Sequence, residues 1–420
     1  MKRILQLAGL AFLGFAPSLP AALVVPGADG SDGSLVVSAN TEIDLSQAVT
    51  GTWDQNNTAN TGKGVYDASK WAVVFKYASV TVNAGATVTF KNHPSRAPVV
   101  WLVNGDVNIA GTVSLNGQDL QNAPLLAEGG PGGFRGGSAS YLTGPGASAG
   151  FGIGGGGRNS NNNAGYGGVY GLAGVSAAAY GNPSLVPLVG GSGGAGDPEY
   201  NSDRRGGGGG GGAILIATSS SLALTGEVRV NGGLGKDYGN ENTGGGSGGG
   251  IRIVCNAISG TGKLTAIGGG AWSTGGVGRI RVERASATGS QIISPDPSVV
   301  PLTDGSTALL WPPTGSPKVE IVSIGGSAAP ADPRASFGAQ GADVTLPQGT
   351  TTPVVIRTEF VEDTSQVQVR ITPRSNANFT TVNATLDASA TGLPEDTLQW
   401  IANVPTNVGY SALQVKVVRP

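Results

Sequence analysis

The sequence predicts an all-β protein: a parallel β-helix or solenoid carrying glycine-rich excursions, followed by a β-sandwich. Three observations predict it. Short alternating strand patterns recur on one spacing, and 51 of the chain's 73 glycines fall between Gly129 and Gly278. After Trp311 the glycine content drops and the strand patterns lengthen.

The elements follow in chain order. Residues 1–22 read as an export signal: Lys2 and Arg3 form a charged start, Ile4 to Phe15 an apolar core, and Ser18 to Ala22 a small-residue cleavage zone. The apolar core is too short to span a bilayer, and no cysteine near the cleavage zone offers a lipid anchor. Residues 23–75 hold two strand patterns, Ser34–Ser38 and Thr41–Leu45, and are placed to cap the first turn of a stack.

Residues 76–310 carry the repeat. Val107–Gly117 ("VNIAGTVSLNG"), Leu222–Gly232 ("LALTGEVRVNG") and the looser Ile258–Gly268 ("ISGTGKLTAIG") align without gaps, each with a further strand pattern upstream. Those upstream patterns are "VVWLV" from Val99, "AILIA" from Ala213 and "IRIVC" from Ile251. A further start at Arg279–Glu283 reads as a unit that stops, and Val80–Phe90 as a loose earlier copy. Period-2 alternation predicts one buried and one wet face per strand. The glycine between paired strands predicts a corner with positive φ. Strand, corner, strand, stacked, describes a parallel β-helix. The competing reading is a row of antiparallel hairpins, because Asn116-Gly117 and Asn231-Gly232 are hairpin signals. Both dipeptides, however, lead into glycine tracts rather than a return strand.

The tracts pose a cost. Ordering a glycine costs roughly 0.5–1 kcal/mol more than ordering an alanine. Over 51 positions that exceeds the net stability of a typical domain, about 5–15 kcal/mol. The seven consecutive glycines Gly206–Gly212 are therefore either slack or held by close backbone packing that side chains would forbid. Interleaved aromatics such as Phe134, Phe151, Tyr166, Tyr170, Tyr238 and Trp272 set the tracts apart from flexible linkers. They predict ordered excursions, packed as three-fold polyglycine helices. Trp311-Pro-Pro-Thr-Gly-Ser-Pro317 reads as a linker, and residues 318–420 as an immunoglobulin-like sandwich without its cysteine pair.

"VVWLVNGDVNIAGTVSLNG" (99–117), "GGPGGFRGG" (129–137) and "GGGSGGGIRIV" (244–254) together give the region from about 76 to 285 its character. In these the chain resembles secreted glycine-rich β-helical repeat proteins of environmental bacteria, which implies an extracellular repeat fold. The export signal sets the expected location, secreted or at the cell surface of a Gram-negative bacterium. The tracts are also similar in composition to polyglycine loops of phage tail-fibre adhesins, which implies receptor binding.

Charge is sparse, with 25 basic and 27 acidic residues and a net charge of −2. No basic patch suggests nucleic acid, and nothing suggests membrane insertion. Cell-surface glycans or other copies of the chain are the expected partners, and no cofactor is expected. Cys255 is the lone cysteine, expected as an inert buried thiol.

Candidate chemistry is thin. Ser192 and Ser247 satisfy G-x-S-x-G only because serine sits in glycine runs. The lone histidine, His93, reads as a turn residue, so a serine–histidine nucleophile is not expected. Gly232–Asp237 begins a calcium nonapeptide that breaks at Gly239, leaving Asp237 as a weak metal ligand. A carbohydrate-active enzyme, a polysaccharide lyase or glycoside hydrolase, would draw on Asp197, Glu199, Asp203, Arg204 and Arg205. The plainer reading of that cluster is a solvated loop tip with local ion pairs. Tyr166, Tyr170, Tyr238 and Trp272 are the candidate glycan-stacking residues. The expected function is structural or adhesive rather than catalytic. An ice-binding face would need a threonine column that the repeats lack.

Overall fold

A computed structural model of the chain describes residues 23–55, 61–121, 126–139, 146–159, 164–174, 177–197, 205–235, 237–238, 241–303, 305–333, 342–347, 351–374, 378–405 and 409–420. The described chain is all-β; its one helical element is a single 3-10 turn, Leu45–Gln47. No helix among the described residues is long and apolar enough to cross a membrane.

Residues 34–301 build an eleven-stranded and a six-stranded sheet, parallel throughout except where Val65–Asp67 meets Ala72–Tyr77. Each repeat unit contributes three strand segments. The first segments align Phe75, Trp101, Ile216, Ile253, Val282 and Val299 in one row. The second align Leu35, Val80, Val107, Leu222, Ile258 and Ala287. The third, in the smaller sheet, align Thr41, Val88, Val113, Val228, Leu264 and Ile293. Like residues stack on like, and their inward side chains form one core, including Phe75, Trp101, Val113 and Leu224.

Four expectations need correction here. The parallel pairing starts at Ser34, inside the segment read as a cap. The unit that seemed to stop at Glu283 instead runs on to Ala287 and completes itself with Ile292–Ser294. Residues 285–290 and Ile292 are exposed, the last at 58%, and only Ile293 packs against the core, which leaves little apolar alternation to read.

Third, the four first segments from Ala72, Val99, Ala213 and Gly250 do not have a wet face. Val74, Val100, Leu215 and Val254 point away from the main core into a second cluster, closed by Leu23, Val25, Ala308 and Leu310. Burial on both faces explains why "VVWLV" and "AILIA" are continuous apolar runs. Trp311, read as linker, packs at this second cluster, edge-on to Trp53 at 5.4 Å.

Fourth, the corner glycines Gly111, Gly226 and Gly262 do not use positive φ, whereas Gly85, at φ +81°, and Gly260, at φ +100°, do as expected. The first three are needed because units stack too closely for a side chain. A Cβ on Gly226 would lie 1.9 Å from the Gly111 carbonyl oxygen, and one on Gly262 2.4 Å from that of Gly226.

Neither Asn-Gly pair turns a hairpin. The asparagines form a ladder instead: Asn116 Oδ1 accepts from the Asn231 N–H at 2.9 Å, and Asn231 Oδ1 accepts from the Ile267 N–H at 3.0 Å. The ladder ends at Ile267, the unit that has no asparagine at this position.

Beyond residue 317 all pairing is antiparallel. A five-stranded sheet and a three-stranded sheet, the latter ordered Thr380–Asn383, Gln366–Pro373, Ser411–Val418, share a core of Val354, Ile356, Val367, Val369 and Trp400.

Candidate functional site

The glycine tracts are the largest ordered feature outside the strands, and their hydrogen bonds repeat every third residue. Along Gly206–Ala213, the N–H groups of Gly206, Gly209 and Gly212 donate to Gln121, Gln118 and Leu115. Those of Gly207, Gly210 and Ala213 donate to Gly137, Phe134 and Pro131, and those of Gly208 and Gly211 to Gly244 and Ser247. All eight bonds measure 2.7–3.0 Å. The N–H groups of one segment thus reach three neighbours, two running against it and one with it. Its carbonyls accept from further segments, through the N–H groups of Gly191, Gly194 and Gly233. Residues 206–212 are all buried.

The spacing leaves no room for side chains. A Cβ on Gly207, Gly208, Gly209 or Gly210 would fall 2.0–2.1 Å from a neighbouring carbonyl oxygen. This is why the seven glycines precede a strand: the segment threads the centre of a backbone-to-backbone pack before emerging as Ala213–Leu224. The two serines of the G-x-S-x-G matches belong to the same pack. Ser247 Oγ accepts from the Ser192 N–H at 2.8 Å, and Ser192 Oγ donates to the Tyr180 hydroxyl at 2.9 Å and accepts from Gly154 N–H.

The sequence-predicted aromatics separate. Tyr166 and Trp272 come together, with ring centroids 6.2 Å apart and both residues partly exposed. Tyr238 lies in the short strand Asp237–Tyr238, paired to Glu241–Asn242; nothing is described of its side chain or of that of Asp237. Tyr170 is 1% exposed, so it has no ring face free for a ligand. It packs on Tyr180 at 4.7 Å with the Arg279 guanidinium over its ring, and burial raises its pKa well above that of an ordinary tyrosine.

The acidic cluster is only partly within the described residues; Glu199, Asp203 and Arg204 lie outside them. Asp197 does not sit on a solvated tip: it is 1% exposed, and its N–H donates to the Arg205 carbonyl at 3.2 Å. His93 is also buried, at 7% exposure, stacked on Tyr66 at 4.1 Å with Nδ1 2.8 Å from Ser95 Oγ. Cys255 is fully buried, and desolvation pushes its thiol up to about 12. Among the described residues no group of three or more histidine, cysteine or acidic side chains is placed to hold a metal. A shallow groove follows the unit corners, but its column reads Thr87, Thr112, Glu227, Lys263, which is no threonine array.

One site has no forecast in the sequence. Arg370, 7% exposed, points from Gln366–Pro373 into the carbonyls of the glycine tract. Nη1 donates to Ile153 at 3.0 Å, Nη2 to Gly155 at 2.9 Å and Gly150 at 3.3 Å, and Nε to Thr372 Oγ1 at 3.3 Å. The guanidinium lies 3.6 Å from the centroid of the Phe379 ring, a cation–π contact. Desolvation draws its pKa down to about 9, partly opposed by Tyr180, and it stays charged at neutral pH. A cavity of about 200 Å³ opens beside it. Period-2 alternation in "QVQVRIT" marked Arg370 as facing away from the core, but not what it would meet some 215 residues upstream.

Compared with models of protein families, with curated proteins and with solved structures, the chain matches none.

Proposed function

We propose that the chain is an exported structural or adhesive protein of the cell surface. In this reading the parallel sheets close into a β-solenoid, and the glycine tracts pack on its flank as polyglycine II helices. The two antiparallel sheets form an immunoglobulin-like sandwich that serves as cap or docking module. The carrying observation is the three-residue period with which the N–H groups of Gly206–Ala213 reach three separate neighbours. Polyglycine II is a three-residue helix whose backbone groups all point outward to neighbours. Such a pack returns hydrogen bonds for the ordering cost of glycine, and it makes a stiff support rather than a flexible tether.

The burial of Asp197 weighs against the lyase or hydrolase reading, which needs a solvent-accessible acid. Presentation suits the place where Tyr166 and Trp272 meet, since a pair of partly exposed aromatic residues is a surface on which sugar faces stack. Cell-surface glycans, or further copies of the chain, are the partners this reading expects.

Limited proteolysis of the native protein tests it, followed by binding of the intact chain to glycan arrays. The expected result is a resistant core spanning 115–278 and retention on glycans that weakens in Tyr166→Ala and Trp272→Ala. Cleavage scattered through 129–212 would remove the support on which the reading stands.

A further inference from the structure

The three-stranded sheet of the C-terminal region has two unlike faces. Val367, Val369, Ile371, Leu413, Val415 and Val417 turn into its core. The alternate positions make a polar face, and the register sets it out in two rows. One row is Asn383, Gln368, Lys416; the next is Thr381, Arg370, Gln414. The cavity of about 200 Å³ lies over these rows, closed from the other side by Ile153 and Ala178.

Its chemistry is lopsided. Arg370 and Lys416 line it, and no acidic side chain does. Arg370 makes no ion pair: its acceptors are three neutral carbonyls and a hydroxyl, and one Nη1 hydrogen is left without an acceptor among the described residues. Buried cations ordinarily have a carboxylate partner, because neutral dipoles compensate lost hydration only in part. Gln414 adds the opposite demand. Its Oε1 is buried and has no donor among the described residues. An occupant that satisfies both carries an anionic group for the cations and a hydroxyl for the amide oxygen.

We infer that this cavity is a binding site for a carboxylate-bearing sugar unit. Its carboxylate faces Arg370 and Lys416, and a ring hydroxyl donates to Gln414 Oε1. The one free guanidinium donor of Arg370 and the Lys416 ammonium together suit the two oxygens of a carboxylate, and the volume fits one pyranose rather than a chain. The site rests on the geometry around Arg370, so it stands or falls apart from the stiff-support reading and from the Tyr166–Trp272 pair.

Isothermal titration of the intact protein with glucuronate, glucose and inorganic phosphate tests it. Glucuronate is expected to bind saturably, with glucose and phosphate each at least about tenfold weaker. Lys416→Glu lies on a partly exposed strand position and leaves the buried latch in place. It is expected to weaken glucuronate about tenfold or more, with an unchanged circular dichroism spectrum. Gln414→Leu is expected to erase the advantage of glucuronate over phosphate. Absence of glucuronate binding at millimolar concentration would overturn the inference. So would equal affinity for glucose, or full affinity in Lys416→Glu.

Discussion

Gly210 and Gly270 differ in what stands where a Cβ would be. At Gly210 the space is taken by the Gly191 carbonyl, with its oxygen 2.1 Å and its carbon 2.4 Å away; at Gly270 the nearest atom is Leu234 Cδ2 at 3.9 Å. Neither lies in the left-handed region, so backbone strain does not separate them. Gly210→Ala is therefore expected to destabilise by about 3 kcal/mol, at the upper end of overpacking costs, since backbone cannot step aside. Gly270→Ala is expected to be neutral or to stabilise by about 0.4–1 kcal/mol through the unfolded chain. Urea midpoints of the two variants check the pair, and equal shifts would contradict close packing. Cys255 offers a second readout at this scale. Its thiol is buried and driven up to about 12, so it is expected to ignore Ellman's reagent in the native protein and to react fully after denaturation.

At the scale of elements, the corner joining the first and second segments depends on one carboxylate. Asp106 accepts from Ser220 Oγ at 2.5 Å, Ser221 Oγ at 2.8 Å and the Ser221 N–H at 3.2 Å, where Ala213–Leu224 slips register. These bonds hold its pKa below the ordinary carboxylate value. The stabilisation is complete above the unfolded-state pKa of about 3.9 and is lost as pH falls through the lower folded value. Thermal midpoints measured from pH 5 to pH 3 are expected to fall less steeply in Asp106→Asn than in the parent. Asn231→Ala breaks the asparagine ladder and is expected to cost about 1 kcal/mol, read from denaturant midpoints.

Elements of this kind divided sharply in how legible they were. Alternation announced Val107–Ile109 and Glu227–Arg229, because each has one face in the core. It missed Ile292–Ser294, where the stack ends and only Ile293 still packs against the core. It misjudged Ala213–Ala217 as half wet, because the covering residues Leu23 and Leu310 lie about 190 and 95 positions away. Composition announced that the glycines were packed. It did not say that Gly226 was a glycine for want of space rather than for its φ. That depends on Gly111, one unit below and 115 residues earlier.

For the whole molecule, the question is what joins the C-terminal sheets to the glycine tracts. Asn378 bridges to Arg158 through its side-chain oxygen and nitrogen, at 3.1 and 3.2 Å, and Ser138 Oγ donates to the Arg374 carbonyl at 2.9 Å. The Asn378 bonds are exposed and the Ser138 bond is only part-buried, so water can replace them at little cost. Arg370 is different. Its guanidinium is withdrawn from water and spends three donors on Ile153, Gly150 and Gly155.

Charge-assisted hydrogen bonds in a dry setting contribute more than neutral exposed ones. Arg370 should therefore carry most of the mechanical coupling between the two regions. Each region has its own core or its own backbone pack, so neither needs the other to fold. Arg370→Met keeps much of the volume and removes the donors. The expected outcome is an unchanged far-ultraviolet spectrum and faster amide exchange at residues 150–156. In calorimetry, unfolding that is cooperative in the parent should resolve into two transitions in the variant. A variant that still unfolded as one unit, with 150–156 as protected as before, would shift the coupling to Asn378 and Ser138. Their substitution would then have to produce the separation that Arg370→Met did not.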